Sequence, residues 1–203
     1  MIHGMNSPAA TLILLVNIGA SLYGLYSAPQ FIERNLFRPY WFLRQRQWPP
    51  FVTSAFIHGS LGHLLFNCIT LWSFGFPLER AIGSARFAAL YAVGLIVSNL
   101  GTLYKQRDNP DYASLGASGA ILAVLFAAIV YFPSTSIMIM PLPVPIPAPL
   151  FAIGYLAYTM WAARHARGRI NHDAHLGGAL AGLAFVAVTD PDTLRSALRL
   201  LLG

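Results

Sequence analysis

The 203-residue chain is 56% hydrophobic and only 10% charged, against about a quarter charged in soluble domains, and its mean hydropathy is +0.58. A soluble fold of this size has no interior large enough for so much apolar surface, so lipid is the solvent for much of it. The net charge of +6 lies on scattered arginines that belong to headgroup-facing connections, and no soluble stretch could carry a basic patch, which excludes nucleic acid as a partner. The one cysteine, Cys68, cannot form an intrachain disulfide and reads as a small buried packing residue.

In chain order, six apolar segments are candidates to cross a bilayer: Ala9–Ala28, Leu61–Leu78, Phe87–Tyr104, Gly116–Phe132, Ala148–Ala163 and Ala174–Val188. The first has no Lys or Arg before it and exceeds the usual signal-peptide core of about 7–15 residues, so it reads as a retained span. The connection from Pro29 to Phe56 interleaves Glu33, Arg34, Arg38, Arg44 and Arg46 with Phe31, Phe37, Tyr40, Trp41, Phe42 and Trp48, a mixture suited to the membrane interface. The second connection is ERAIGSARF and the third KQRDNPDYAS. The fourth, MPLPVPIPAP, alternates proline from Pro141 to Pro149, which forbids helix and predicts a stiff extended connector. The fifth is RHARGRINHD, and the tail DPDTLRSALRLLLG predicts a short amphipathic helix with Arg195 and Arg199 on its polar side. No internal repeat or second domain is visible, so residues 1–203 are expected to form one all-α bundle.

Four polar sites interrupt this apolar pattern. Ser118, in SLGASGAILAV, sits at the start of the fourth span between Gly116 and Gly119. Free backbone N–H groups and the positive end of the helix dipole lie there, a setting suited to a nucleophile beside an oxyanion site. The same glycines also serve plain helix packing. His175, in HDAHLGGALAG, opens the sixth span, and an ionisable group at membrane depth is costly and implies function. His63 and Asn67, at i and i+4 where the second span begins, share one helical face. They read either as a helix tether or as donors to an oxyanion. In an alternating bundle, the second, fourth and sixth spans are all entered from one side of the membrane. Topology therefore brings Ser118, His175 and the His63–Asn67 pair to one face. His58 reads as structural, Glu79 and Arg80 as an interhelical tie or a solvated pair, and His165 and His172 as exposed loop residues. Asp173 is an unfavoured third member of a triad, because neighbours at a helix start point in different directions.

Taken together, HGSLGHLLFN, the Glu79-Arg80-x-x-Gly83 pattern, GASG and AHLGG, in this order over nearly the whole chain, resemble the rhomboid family of intramembrane serine proteases in its six-helix bacterial form. The resemblance implies a Ser–His dyad without a third acid, Ser118 as nucleophile and His175 as general base. It further implies an oxyanion hole from the Ser118 N–H with His63 and Asn67, Gly116 in the adjoining loop, and no cofactor or metal. The implied substrates are single transmembrane helices, cut by an enzyme of the inner or plasma membrane whose site faces the exterior or periplasm. A helix conceals its carbonyls, so a substrate must unwind before attack.

The chain departs from the family pattern in three places. Pro50 stands after Trp48 where arginine is common. Leu122 replaces an aromatic residue that many members carry four positions after the serine. The site-side connections hold Arg34, Arg38, Arg44, Arg46, Lys105, Arg107, Arg164, Arg167 and Arg169, against Arg80, Arg86, Arg195 and Arg199 on the other side, opposite to the positive-inside pattern for an external site. The rival enzyme is a metalloprotease using His58, His63, His172 and His175, but HExxH is absent. A rhomboid-like protein that binds transmembrane clients without cutting them is the non-enzymatic rival, and such proteins usually lack the serine or histidine. A transporter lacks support, with no acidic residue within a span and no interrupted helix pair.

Overall fold

The computed structural model of the chain describes residues 7–139, 142–165 and 170–202. The apolar runs form helices, because in lipid the backbone must bond to itself. α1 is Pro8–Tyr26, followed by three short helices, α2 (Pro29–Arg34), α3 (Pro39–Gln45) and α4 (Pro50–Thr53), and a 3-10 turn at Ser54–Phe56. Each of the four helices opens on a proline, whose missing N–H costs nothing at a first helical position. α5 (Leu61–Thr70) runs through a π-helical turn at Leu71–Gly75 into α6 (Phe76–Ile82), and α7 spans Ser84–Gln106. α8 (Ser118–Tyr131), the strands β1 (Ser136–Ile139) and β2 (Leu142–Pro147), α9 (Ala148–His165), α10 (His172–Thr189) and α11 (Pro191–Leu202) complete the order.

By length and composition, three helical stretches among the described residues can cross a membrane: Pro8–Tyr26, Leu61–Ile82 and Ser84–Gln106. α8 is apolar but only 14 residues long. It is the centre of the protein, with every residue from Gly119 to Val130 buried. α7 and α10 close on it through small side chains. A Cβ on Gly94 would stand 2.5 Å from that of Ala123, and one on Gly178 or Gly182 would run into the carbonyl oxygens of Gly119 and Ala123. In lipid, where apolar surface gains little by leaving its solvent, such close approach is what holds helices together.

The connections are more ordered than loops need be. Phe37, Phe42, Phe51 and Trp48 form an edge-to-face cluster in the α2–α4 segment. Glu79, 1% exposed, accepts from the Ala9 and Ala10 N–H groups at 3.0 and 2.7 Å. It thereby places a carboxylate at the N-terminus of α1, where free donors and the helix dipole favour it. Asp190 caps α11 by accepting from Thr193 N, and Tyr131 donates to the same carboxylate at 2.8 Å, tying α11 to the end of α8.

Two expectations are corrected. The proline-rich connector is extended, but it is one strand of an antiparallel hairpin, with Ile137 opposite Ile146 and Met138 opposite Pro145. Successive N–H groups of a strand point to opposite edges. Prolines at every second position therefore strip one edge and leave the other able to pair. Cys68 is half-buried, not buried. Pro141, Arg167 and Arg169 lie outside the described residues.

Candidate active site

Ser118 is the first residue of α8, so its N–H has no partner within the helix. The loop before it is pinned from three directions. Ser114 and Phe37 exchange backbone hydrogen bonds of 2.9 and 3.0 Å, Gly116 N donates to Ser54 O at 2.9 Å, and Ala117 N makes a long 3.5 Å contact with His58 Nε2. Gly116 has φ +120°, and a Cβ there would stand 2.5 Å from His63 Cε1. Both the backbone and the imidazole demand glycine at this point.

His58 supports this loop from below. It is fully buried, and its backbone N–H and Nδ1 both meet Ser21 Oγ, at 3.1 and 2.9 Å. That leaves Nε2 as the acceptor facing Ala117. Burial, with His63 beside it, holds the His58 pKa down to about 3, so the ring stays neutral.

α10 brings the second chemical group. It starts at His172, earlier than the apolar run suggests, because Asn171 caps it by accepting from Ala174 N at 3.0 Å and donates to Thr102 Oγ1 of α7 at 2.8 Å. His175 thus lies in the first turn, and its Nε2 is 2.8 Å from Ser118 Oγ. Its Nδ1 is 3.1 Å from the hydroxyl of Tyr155 on α9. Asp173 turns away and pairs with Lys105 Nζ at 2.9 Å. His172 is not an exposed loop residue: it is 8% exposed and packs edge-on against Tyr158. His165, at the end of α9, is exposed.

The α5 residues stand around this pair unequally. The His63 ring lies against Gly116 and edge-on to His58, with centroids 4.9 Å apart. Asn67 is buried, and its amide donates to the His63 carbonyl at 3.1 Å, within its own helix. Among the described residues, no hydrogen bond joins Asn67 to Ser118 or His175. A cavity of about 20 Å³, room for a single water, touches Ser118, and its lining includes Ser54, Ser98, Asn99, Ser114 and Asn171 beside apolar residues such as Leu95. No group of three or more metal-ligating side chains occurs among the described residues.

Tyr155 is the site residue that sequence reasoning missed. It lies in an aromatic-rich apolar helix with no motif around it. The available signal was indirect, since Leu122 left the histidine without its usual aromatic neighbour.

The family model described as Rhomboid domain matches residues 45–191, which include every site residue named above from His58 to His175. The chain belongs to the rhomboid family. It is 30% identical over 195 residues to "Rhomboid protein 1, mitochondrial" of Saccharomyces cerevisiae, covering 88% of this rhomboid and 53% of that protein. It is 35% identical over 148 residues to the human "Presenilin-associated rhomboid-like protein, mitochondrial", covering 68% of this chain and 37% of the other. It is 32% identical over 144 residues to the Bacillus subtilis protein "Putative rhomboid protease YdcA", covering 70% and 68%. The rhomboid chain thus spans only about half, or less, of its mitochondrial relatives. It is a mostly helical membrane protein of a family that includes relatives named as mitochondrial and others from bacteria.

Proposed function

We propose that this rhomboid is an intramembrane serine endopeptidase that cuts transmembrane segments by a Ser118–His175 dyad. The observation that carries the reading is the 2.8 Å contact between His175 Nε2 and Ser118 Oγ at the open start of α8. A serine hydroxyl is a weak nucleophile unless a base takes its proton as it attacks. In this reading Ser118 Oγ bonds to a peptide carbonyl carbon while its proton passes to His175 Nε2. The carbonyl π electrons move to oxygen, and the Ser118 N–H, His63 and Asn67 receive that oxyanion. His175 then returns the proton to the leaving amine. A water, for which the adjoining cavity has room, hydrolyses the acyl-enzyme with His175 again as base.

The partners in this reading are single-pass transmembrane proteins and the bilayer itself, with the chain acting as one domain of six spans in a plasma or inner membrane. The site faces the exterior or periplasm. The test is covalent labelling of the purified protein by a fluorophosphonate probe, alongside Ser118→Ala and His175→Ala. Labelling of the parent and of neither variant is expected. An unlabelled parent, folded and run beside a reactive control protease, sinks the reading and favours a client-binding protein that does not cut.

A further inference from the structure

The dyad leaves one question open: what holds the histidine. A neutral imidazole carries a single N–H. To accept the Ser118 proton at Nε2, it must carry that hydrogen at Nδ1, and once protonated it must place a second N–H somewhere. In a triad a carboxylate serves both needs. Here the nearest carboxylate in sequence, Asp173, is committed to Lys105 at 2.9 Å. Leu122, four residues after the serine, is buried and offers only methyl groups.

Nδ1 instead faces the Tyr155 hydroxyl at 3.1 Å. The ring carrying that hydroxyl is held on two sides. It stacks on Phe151 with centroids 5.5 Å apart and an interplanar angle of 24°, and it leans on Phe126 at 5.9 Å. One turn on, Thr159 Oγ1 donates to the Tyr155 carbonyl at 2.8 Å. The phenol is therefore fixed by packing before any substrate arrives, which is the condition for a useful second contact to a catalytic base.

We propose that Tyr155 is the positioning residue of His175, accepting its Nδ1–H and taking the place of the acid of a serine triad. This rests on the serine-protease reading above and deepens it. The phenol keeps its own proton throughout, and no bond to it forms or breaks. Its contact strengthens when Nε2 takes up the serine proton, because the donor is then a cation. A phenol also suits the depth of the site. An unpaired carboxylate there would lose its hydration, whereas a hydroxyl already bonded to Nδ1 carries no charge to desolvate.

The experiment compares parent, Tyr155→Phe and Ser118→Ala in the full chain, with the fluorophosphonate probe titrated so that its apparent affinity and its limiting labelling rate are read separately. Tyr155→Phe keeps the ring and its stacking. Its limiting rate is expected to fall by about 10- to 100-fold, the range for losing a hydrogen bond to a charged group. Probe affinity and melting temperature should stay at parental values. In 15N-histidine spectra the His175 Nδ1 resonance, identified by its loss in His175→Gln, should move in Tyr155→Phe. A parental labelling rate with an unmoved resonance would overturn the proposal. So would a lowered melting temperature with weakened probe affinity, since that marks a merely structural ring. If the parent fails to label at all, as Ser118→Ala should, the protease reading falls and takes this proposal with it. A labelled parent with an indifferent Tyr155→Phe removes this proposal alone.

Discussion

α10 and α9 both reach His175, and they are attached to the protein in different ways. α10 meets α8 backbone to backbone, through glycines that leave no space for a Cβ. α9 is held by side chains. Only Ala148, Thr159 and Ala162 are buried along it, while Leu150, Ile153, Tyr158, Met160 and Trp161 are exposed. The difference shows how the two helices fix their contacts. The separation of Ser118 and His175 is set by main chain, which has no rotamers to sample, whereas the contact to His175 Nδ1 comes from one hydroxyl on a less constrained helix.

The sharpest way to break this comparison is to put a side chain between α8 and α10. Gly182→Val must push its added methyl groups against the Ala123 carbonyl and separate the helices. A displacement near 1 Å costs about 10²-fold in rate, and overpacking of this kind costs about 1–3 kcal/mol or more in stability. Labelling rate and melting temperature should fall together. Asn67→Ala tests the third wall of the site, where no helix backbone moves. Under the protease reading it should slow cleavage of a transmembrane substrate by about 10²-fold at unchanged melting temperature.

His58→Asn sharpens the comparison from the serine side. The His58 pKa is about 3 in the folded protein and about 6.5 in an unfolded chain. Between those values the unfolded state binds a proton that the native state refuses, so stability is full above about pH 6.5 and is lost as the pH falls toward 3. The group contributes about 1.4 kcal/mol of that loss per pH unit. Melting curves from roughly pH 4.5 to roughly pH 7.5, which bracket the unfolded-state titration, should show a shallower acid slope in His58→Asn than in the parent. The smallest effect is expected on α9. Ile153→Ala removes an exposed side chain and should change stability by less than about 0.5 kcal/mol. A loss as large as that of Gly182→Val would mean that α9 is as rigidly built in as α10.

Much of this is legible in the residues, for identifiable reasons. Apolar runs mark where α1, α5–α6, α7, α8, α9 and α10 form, although among the described residues length and composition qualify only three stretches as spans. The parity of the connections predicts that Ser118 and His175 share a face, and the contact between them follows that logic. Features that depend on partners remote in sequence are not legible in this way. His172 reads as loop because hydrophobicity begins at Ala174, whereas the polar cap Asn171 starts the helix earlier. The β-hairpin is hidden because proline argues against pairing unless its alternation with donors is followed edge by edge. Tyr155 is one tyrosine in an aromatic helix. Its meaning comes from a histidine 20 residues away on the next helix.

The separation of 57 positions between Ser118 and His175 also orders events during synthesis. The serine and the loop that cradles it emerge first, after Phe37 and Ser54, to which that loop bonds in the folded protein. The imidazole follows only after α9 and the hairpin have been made. Until then Ser118 has no His175 imidazole beside it. Under the protease reading, a chain whose synthesis stops in this interval carries no activated serine.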